Sequence, residues 1–140
     1  MNDTADRRTE SIDDALGADH ERLDRLLVIL EAEVRSGSPA AGEALGRFVR
    51  GLEHHMAWED SHLFPAVKTL ASEKERRSIE SLEIDHERLR DTLRSLDSTL
   101  AAENAGGAEV LVGWLRTLLQ GHNYDEEHGV YVEADRLLAA

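Results

Sequence analysis

Six histidine and glutamate residues occupy positions where the helical spacing of this 140-residue sequence calls for apolar side chains. They are His20, His55, Glu59, His86, His122 and Glu126. The run DHERL surrounds His20 and recurs letter for letter around His86, an offset of 66 residues. A His-x-x-x-Glu pair begins at His55 and recurs at His122, an offset of 67 residues. These residue types can bind a metal ion, and their repetition indicates a duplicated unit.

The buried glutamates require a counter-charge. An ionised carboxylate in an apolar core costs several kcal/mol unless it is paired or coordinated, and no Lys or Arg shares the inward face with Glu59 or Glu126. Residues four apart on a helix point within roughly 40° of each other and lie about 6 Å apart along its axis, so each His-x-x-x-Glu pair can reach one metal site. Six ligand side chains are too many for one tetrahedral zinc ion. They match two metal ions bridged by the carboxylates.

Four helices are needed to position these side chains. The apolar periodicity predicts helices over 11–35 and 39–70, and a third that opens with a capping box of Ser72 and Glu75. A fourth fills the chain after the AAENAGG break at 101–107. Pro65 lies inside the second helix and predicts a kink or break there, because proline removes a backbone donor. Connections this short predict an all-α, up-down-up-down antiparallel four-helix bundle.

Each helix carries an apolar stripe that includes one of the four histidines. The inward stripe of the second helix follows 3-4 spacing through Leu45, Phe48, Leu52, His55, Glu59, His62 and Ala66. Phe64 is answered by Tyr131 at the same offset of 67, a third match in one register. The sequence therefore predicts that the bundle is built from two helical hairpins related by an internal two-fold axis.

The other histidines and acids are less strongly indicated as metal ligands. His62 lies on the second stripe and is a possible extra ligand. His54 and His128 lie off the stripes and are expected to be exposed or to face a partner. Asp19 and Asp85 precede the single histidines and either orient them by hydrogen bonds or lie on the surface. Four further acids are expected to be solvated or to lie beside the ligands: Glu21, Asp60, Glu87 and Glu127.

Composition excludes several classes of function. The formal charge of −13 and the absence of any long Lys or Arg cluster argue against nucleic acid and anionic membranes as partners. The chain has no cysteine, which excludes disulfides and thiolate metal sites. Residues 1–10 are polar and are expected to form a flexible N-terminus ahead of one domain over 11–140. No signal peptide or membrane span is recognisable, so we expect a cytoplasmic protein, either a monomer or a homodimer.

These motifs resemble the hemerythrin-like, or HHE cation-binding, family. The resemblance extends from Asp19 to about Leu137 and is carried by the two DHERL runs, by HHMAWEDSHLFP at 54–65 and by HNYDEEHGVY at 122–131. It implies a four-helix bundle with a non-haem di-iron centre bridged by two carboxylates and an oxo or hydroxo group. Carried over, His20 and His55 bind one iron, His86 and His122 bind the other, and Glu59 and Glu126 bridge the two.

The chain departs from the oxygen-carrying members in two places. Arg90 stands where those proteins have a second histidine one turn after the third-helix histidine. Those proteins also use an aspartate five residues after the fourth-helix histidine, where this chain has Glu127. The set of four histidines and two glutamates is more similar to that of di-iron proteins implicated in iron–sulfur cluster repair, whose N-terminal cysteine motif is absent here.

The predicted metal cluster is compatible with three functions. The favoured one is a binding protein whose di-iron centre binds or senses O2 or NO, or handles iron. The second is a di-iron redox enzyme that consumes peroxide or NO, for example in defence against oxidative or nitrosative stress, because six protein ligands leave open positions on two irons. The third is a structural or zinc-binding bundle without redox chemistry. No residue of the sequence is predicted to be catalytic.

Overall fold

A computed structural model describes residues 11–139, and within this range the chain is helical with short connections. The helices are α1 (Ile12–Arg35), α2 (Ala41–Trp58), α3 (Phe64–Leu70), α4 (Glu73–Ala101), α5 (Ala105–His128) and α6 (Val130–Leu138). The predicted flexible N-terminus at residues 1–10 lies outside the described range. No helix of the described part is both long enough and apolar enough to cross a bilayer.

The four long helices form the predicted antiparallel bundle. α1 packs against α2 and α5, and α4 packs against α5 and α2, so that each long helix has two long neighbours. The short helix α6 covers one end of the bundle and contacts α1, α3 and α4. The predicted all-α, up-down-up-down fold is therefore confirmed, and the two hairpins pair as the internal repeat indicates.

Local signals set most helix ends as the sequence predicts. The Ser11 hydroxyl accepts a hydrogen bond from the backbone N–H of Asp14 and caps α1. Ser72 and Glu75 form the predicted capping box at the start of α4, with bonds of 3.2 and 2.9 Å. α1 ends at Arg35, and Gly37, two residues later, turns the chain away in the left-handed conformation with a φ of +64°. The second helix begins two residues later than the predicted start at Pro39, because Ser38 accepts bonds from the next backbone amides and holds a turn.

The core consists of two apolar clusters on either side of a polar layer. The larger cluster includes Leu23, Leu52, Leu89 and Leu119, each three residues from one of the four histidines. The smaller cluster lies at the end of the bundle covered by α6 and includes Leu63, Phe64, Ile79 and Tyr131. The histidine and glutamate layer is thus sealed by apolar side chains along the bundle axis.

The second helix is interrupted at its glutamate, and the fourth helix is interrupted three residues after its own. After α2, residues Glu59–Leu63 form a π-helical turn, in which the Phe64 N–H bonds to the Glu59 carbonyl. After α5, Gly129 breaks the fourth helix, and a Cβ at this position would lie 2.7 Å from the carbonyl oxygen of Asp125. The fourth segment is therefore two helices, where the sequence predicts one. The irregularity expected at Pro65 lies a few residues earlier than predicted.

The π-helical turn also changes which side chains face inward. One extra residue in the turn rotates everything after it by about 100° relative to an uninterrupted helix. Leu63, Phe64 and Val67 are therefore buried. His62, which the 3-4 spacing places on the inward stripe, is exposed instead.

Candidate metal centre

The structure brings the six predicted residues together in one buried layer. All six side chains are 4 % exposed or less. Their ligand atoms form two overlapping groups, each with its atoms within 4.8 Å of one another. The first group, which we call site 1, consists of His20, His55, Glu59 and Glu126. The second, site 2, consists of His86, His122 and the same two glutamates.

The two glutamates divide their oxygens between the sites. Glu126 places Oε1 3.0 Å from the Nε2 of His20 and Oε2 3.1 Å from the Nε2 of His122. Glu59 places Oε2 3.3 Å from the Nε2 of His55 and Oε1 3.1 Å from the Nε2 of His86. Each carboxylate therefore presents one oxygen to each pair of histidines, which is the arrangement that a bridging ligand requires.

Each of the four cluster histidines also contacts a second carboxylate through Nδ1, the ring nitrogen that faces away from the cluster. The Nδ1–H groups donate to acidic oxygens in four pairs: His20 to Glu127 at 2.7 Å, His55 to Asp19 at 2.6 Å, His86 to Asp60 at 2.8 Å and His122 to Asp85 at 3.1 Å. With the proton on Nδ1, the Nε2 lone pair of a neutral imidazole points into the cluster and is free to bind a metal.

Sequence reasoning only partly anticipated these pairs. Asp19 and Asp85 do orient histidines, but each contacts the histidine of the following helix, not the one beside it in sequence. Adjacent residues on a helix point about 100° apart, so neighbours in sequence cannot share one contact of this kind. Asp60 and Glu127, which directly follow the two glutamates, complete the set across the hairpins. These four contacts obey the same two-fold relation as the sequence repeat.

In the metal-free chain, protons balance the buried carboxylates. Burial by itself would lower the pKa of each imidazole, but the neighbouring acids outweigh it. The pKa of His55 rises to about 11 and that of His86 to about 10, both because of Glu126 and Glu59, and the pKa of His122 rises to about 9 because of Asp85 and Glu126. Burial likewise would raise the pKa of Glu126, but its contacts with the four histidines hold that pKa well below its usual range. A metal that binds at Nε2 displaces these protons.

Unpartnered buried atoms show that the cluster is suited to a cation. Among the described residues, four fully buried atoms of site 2 have no hydrogen-bond partner: Glu59 Oε1, Glu126 Oε2, His86 Nε2 and His122 Nε2. Two nitrogen–oxygen pairs among them lie 3.1 Å apart, yet neither pair is aligned as a hydrogen bond. Buried nitrogens and oxygens that approach without bonding one another are expected where they share a metal ion.

Tyr131 is the residue of this centre that sequence reasoning missed. Its side chain is fully buried, and its hydroxyl lies among the ligand atoms of site 1. The distances are 2.9 Å to His20 Nε2, 3.2 Å to His55 Nε2, 2.5 Å to Glu59 Oε2 and 2.9 Å to Glu126 Oε1. Its match to Phe64 in the repeat is visible in the sequence, but the inward position of both residues depends on the interruptions after the glutamates.

The remaining candidates lie outside the cluster. His62 is exposed and stacks on Trp58, with ring centroids 5.8 Å apart, so the structure does not place this possible extra ligand at the centre. His54 and His128 are exposed, as predicted. Arg90, at the position of the missing histidine, bonds to Asp60 at 3.1 Å, and Asp60 in turn accepts from His86.

Comparison with known proteins agrees with this geometry. A family model described as the Hemerythrin HHE cation binding domain matches residues 11–134, nearly the whole described chain. The chain belongs to this family. No curated protein and no solved structure shows a significant match to it. As a hemerythrin HHE domain, the chain is a metal-binding helical protein, and the buried histidine and glutamate cluster is its candidate metal site.

Proposed function

We propose that this hemerythrin HHE domain holds two iron ions as a non-haem di-iron centre that binds or senses O2 or NO. His20 and His55 would hold one ion, His86 and His122 the other, and Glu59 and Glu126 would bridge them. The observation that carries this proposal is the division of each glutamate's two oxygens between the two histidine pairs.

The donor set supports two ions of intermediate hardness. Imidazole nitrogens and carboxylate oxygens suit iron, and no thiolate is available in this chain. Two separate ions are favoured over one because the eight ligand contacts fall into two groups that share only the carboxylates. Six side chains cannot fill two six-coordinate ions, so an oxo or hydroxo bridge and a small exogenous ligand have positions to occupy. When bound, the iron pair supplies redox-active positions for a diatomic ligand.

Tyr131 makes the two sites inequivalent. In the metal-free chain, burial and the charges of Glu126 and Glu59 raise the pKa of its hydroxyl, which therefore stays protonated and donates to a carboxylate. A cation in site 1 would reverse this balance, and the phenolic oxygen of Tyr131 would then be available to help hold it. At the equivalent point of site 2, Phe64 stacks on His86 at a centroid distance of 5.4 Å and offers no ligand atom. We therefore place the open position for O2 or NO on the ion held by His86 and His122.

Metal content and visible spectra test the proposal. Wild-type protein from iron-supplied cells is expected to contain two irons per chain and to show an oxo-bridge absorption band. His55→Ala is expected to lose iron, whereas His54→Ala, which removes the adjacent exposed histidine, is expected to retain both ions. One zinc per chain in the wild type, or unchanged iron in His55→Ala, would refute the di-iron assignment.

Addition of small molecules separates the possible functions. A reversible spectral change on adding O2 or NO to the dithionite-reduced protein supports binding or sensing. Rapid catalytic loss of peroxide, with the protein unchanged at the end, would move the assignment to a redox enzyme. A spectrum that responds to none of these molecules would contradict both functions while leaving the metal count intact.

A further inference from the structure

An acidic groove between α1 and α5 leads from the surface to site 1. It encloses about 700 Å³, and the candidate ligand His20 lines it together with Glu127, which binds the Nδ1 of His20. Five acids line the groove, with no Lys or Arg among the described lining residues: Asp13, Asp14, Glu21, Asp24 and Glu127. Such a concentration of negative charge raises the local concentration of cations.

A buried amide gives independent support for a polar occupant. Asn123 lines the same groove and is only 9 % exposed, yet its side chain makes no hydrogen bond to any described residue. Its amide atoms are not among the fully buried unpartnered atoms of the described residues, so they open into the groove, where water or an ion can bind them. Carboxylate and amide oxygens are suitable ligands for a divalent metal in transit.

The internal repeat provides a closed counterpart of this groove. By the offsets of 66 and 67, Asp24 corresponds to Arg90, Glu21 to Glu87, Gln120 to Glu53, Asn123 to Met56 and Glu127 to Asp60.

At this counterpart, the Arg90 guanidinium fills the space between the helices. It bonds to Glu53 and Asp60 at 3.1 Å and to Glu87 at 2.5 Å, and its own side chain is only 19 % exposed. Met56, in place of the amide, is fully buried. The route to His86 is therefore closed by charge pairing and by an apolar side chain.

The open groove lacks every one of these closing elements. With Asp24 in place of the arginine, no described Lys or Arg pairs with Glu21 or Glu127. Glu127 is also the most exposed of the four acids that hold the histidines, at 36 % of its side chain, against 18–30 % for the others. The two halves of the duplicated fold have thus diverged into one closed side and one open, acidic side.

We infer that this groove is the entrance through which a divalent metal ion reaches the centre, and that Glu127 and His20 receive the ion at its inner end. The inference rests on the proposed metal-binding function and adds the route of entry to it. Arg90 keeps the corresponding path to site 2 closed, so metal loading is one-sided.

Reversing the charge at the mouth of the groove tests the inference. Asp24→Arg, at an exposed position, places in the open groove the side chain that closes its counterpart. The loading rate of the metal-free full chain would be measured by stopped flow with Co²⁺ at low ionic strength. We expect Asp24→Arg to slow loading by at least about tenfold, with the final number of ions per chain unchanged.

Matched variants make the outcome specific. Glu80→Arg imposes the same change of charge at an exposed position outside the groove and is expected to alter the rate by less than about twofold. Asp24→Asn, the milder change, is expected to give an intermediate rate.

Wild-type loading rates in both Asp24 variants, or equal slowing by Glu80→Arg, would overturn the inference that the groove is the entrance. Fewer ions at equilibrium in both Asp24 variants would also overturn it, because the substitution then damages the site itself. A wild-type chain that binds no metal would instead overturn the proposed function.

Discussion

Replacement of Tyr131 by phenylalanine removes one hydroxyl group from the centre of site 1 and leaves the shape of the side chain nearly unchanged. The hydroxyl is fully buried, 2.5 Å from Glu59 Oε2 and 2.9 Å from Glu126 Oε1. Because apolar clusters seal the polar layer on both sides, a water molecule does not readily replace the lost donor. The substitution therefore isolates the contribution of a single oxygen atom.

The expected loss of stability follows from the type of bond. A hydrogen bond to a charged group contributes about 1.5–3 kcal/mol, and Tyr131 has one proton to donate. The free energy of unfolding of the metal-free protein should fall by the same amount, which for a chain of this size corresponds to a melting temperature lower by about 5–10 °C. Overpacking and cavity terms are small, because the aromatic ring is retained.

Thermal and denaturant unfolding of the chelator-stripped protein measure this loss. Tyr124→Phe is the matched control, since Tyr124 is 61 % exposed and its hydroxyl makes no bond to described residues; we expect it to change stability by less than about 0.5 kcal/mol. The iron-loaded wild type should also show a ferric–phenolate absorption band that Tyr131→Phe lacks and Tyr124→Phe retains.

Two results would refute this reasoning. Equal melting temperatures for Tyr131→Phe and the wild type would show that the hydroxyl does not stabilise the buried carboxylates. A phenolate band that persists in Tyr131→Phe but disappears in Tyr124→Phe would show that the wrong tyrosine has been placed at the metal.

Further predictions concern the acids and protons of the centre. Asp60→Ala should weaken metal binding about 10- to 100-fold in chelator competition, because His86 loses the acceptor that orients it, and Asp60→Asn, which can still accept from Nδ1, should weaken it less; equal affinities in all three proteins would contradict the orienting role. The metal-free protein should lose stability as pH rises, since the pKa values of three site histidines are raised to about 9, 10 and 11. Their contribution is fully present below the unfolded value of about 6.5 and disappears through pH 9–11. The lowered pKa of Glu126 adds a loss on the acid side, below the ordinary glutamate value. Urea unfolding across pH 2–11 measures both, and a flat profile above pH 7 would contradict the protonated cluster.

Much of the fold was predictable because it depends on local rules. Helical periodicity, the Ser72–Glu75 capping box and short connections indicated an antiparallel bundle, and each of these signals acts within a few residues along the chain. The inward stripe predicted for the second helix is buried as far as Glu59, but His62, the next residue of the stripe, is exposed. A π-helical turn has no strong sequence signature, and a count that assumes 3.6 residues per turn continues past it in the wrong phase.

The sequence by itself determined which six side chains share the buried layer. Polar residues on apolar stripes are costly to bury one by one, and their repetition at 66 and 67 residues indicates that the duplicated halves bring them into one cluster. Tertiary structure alone decided what surrounds them. The acid that holds each histidine comes from a different helix, so Asp60 and Glu127 could not be assigned by spacing. The hydroxyl of Tyr131 reaches site 1 only because Gly129 breaks the helix and turns the next segment inward. Contacts between helices depend on rotation and register, and no single helix encodes either one.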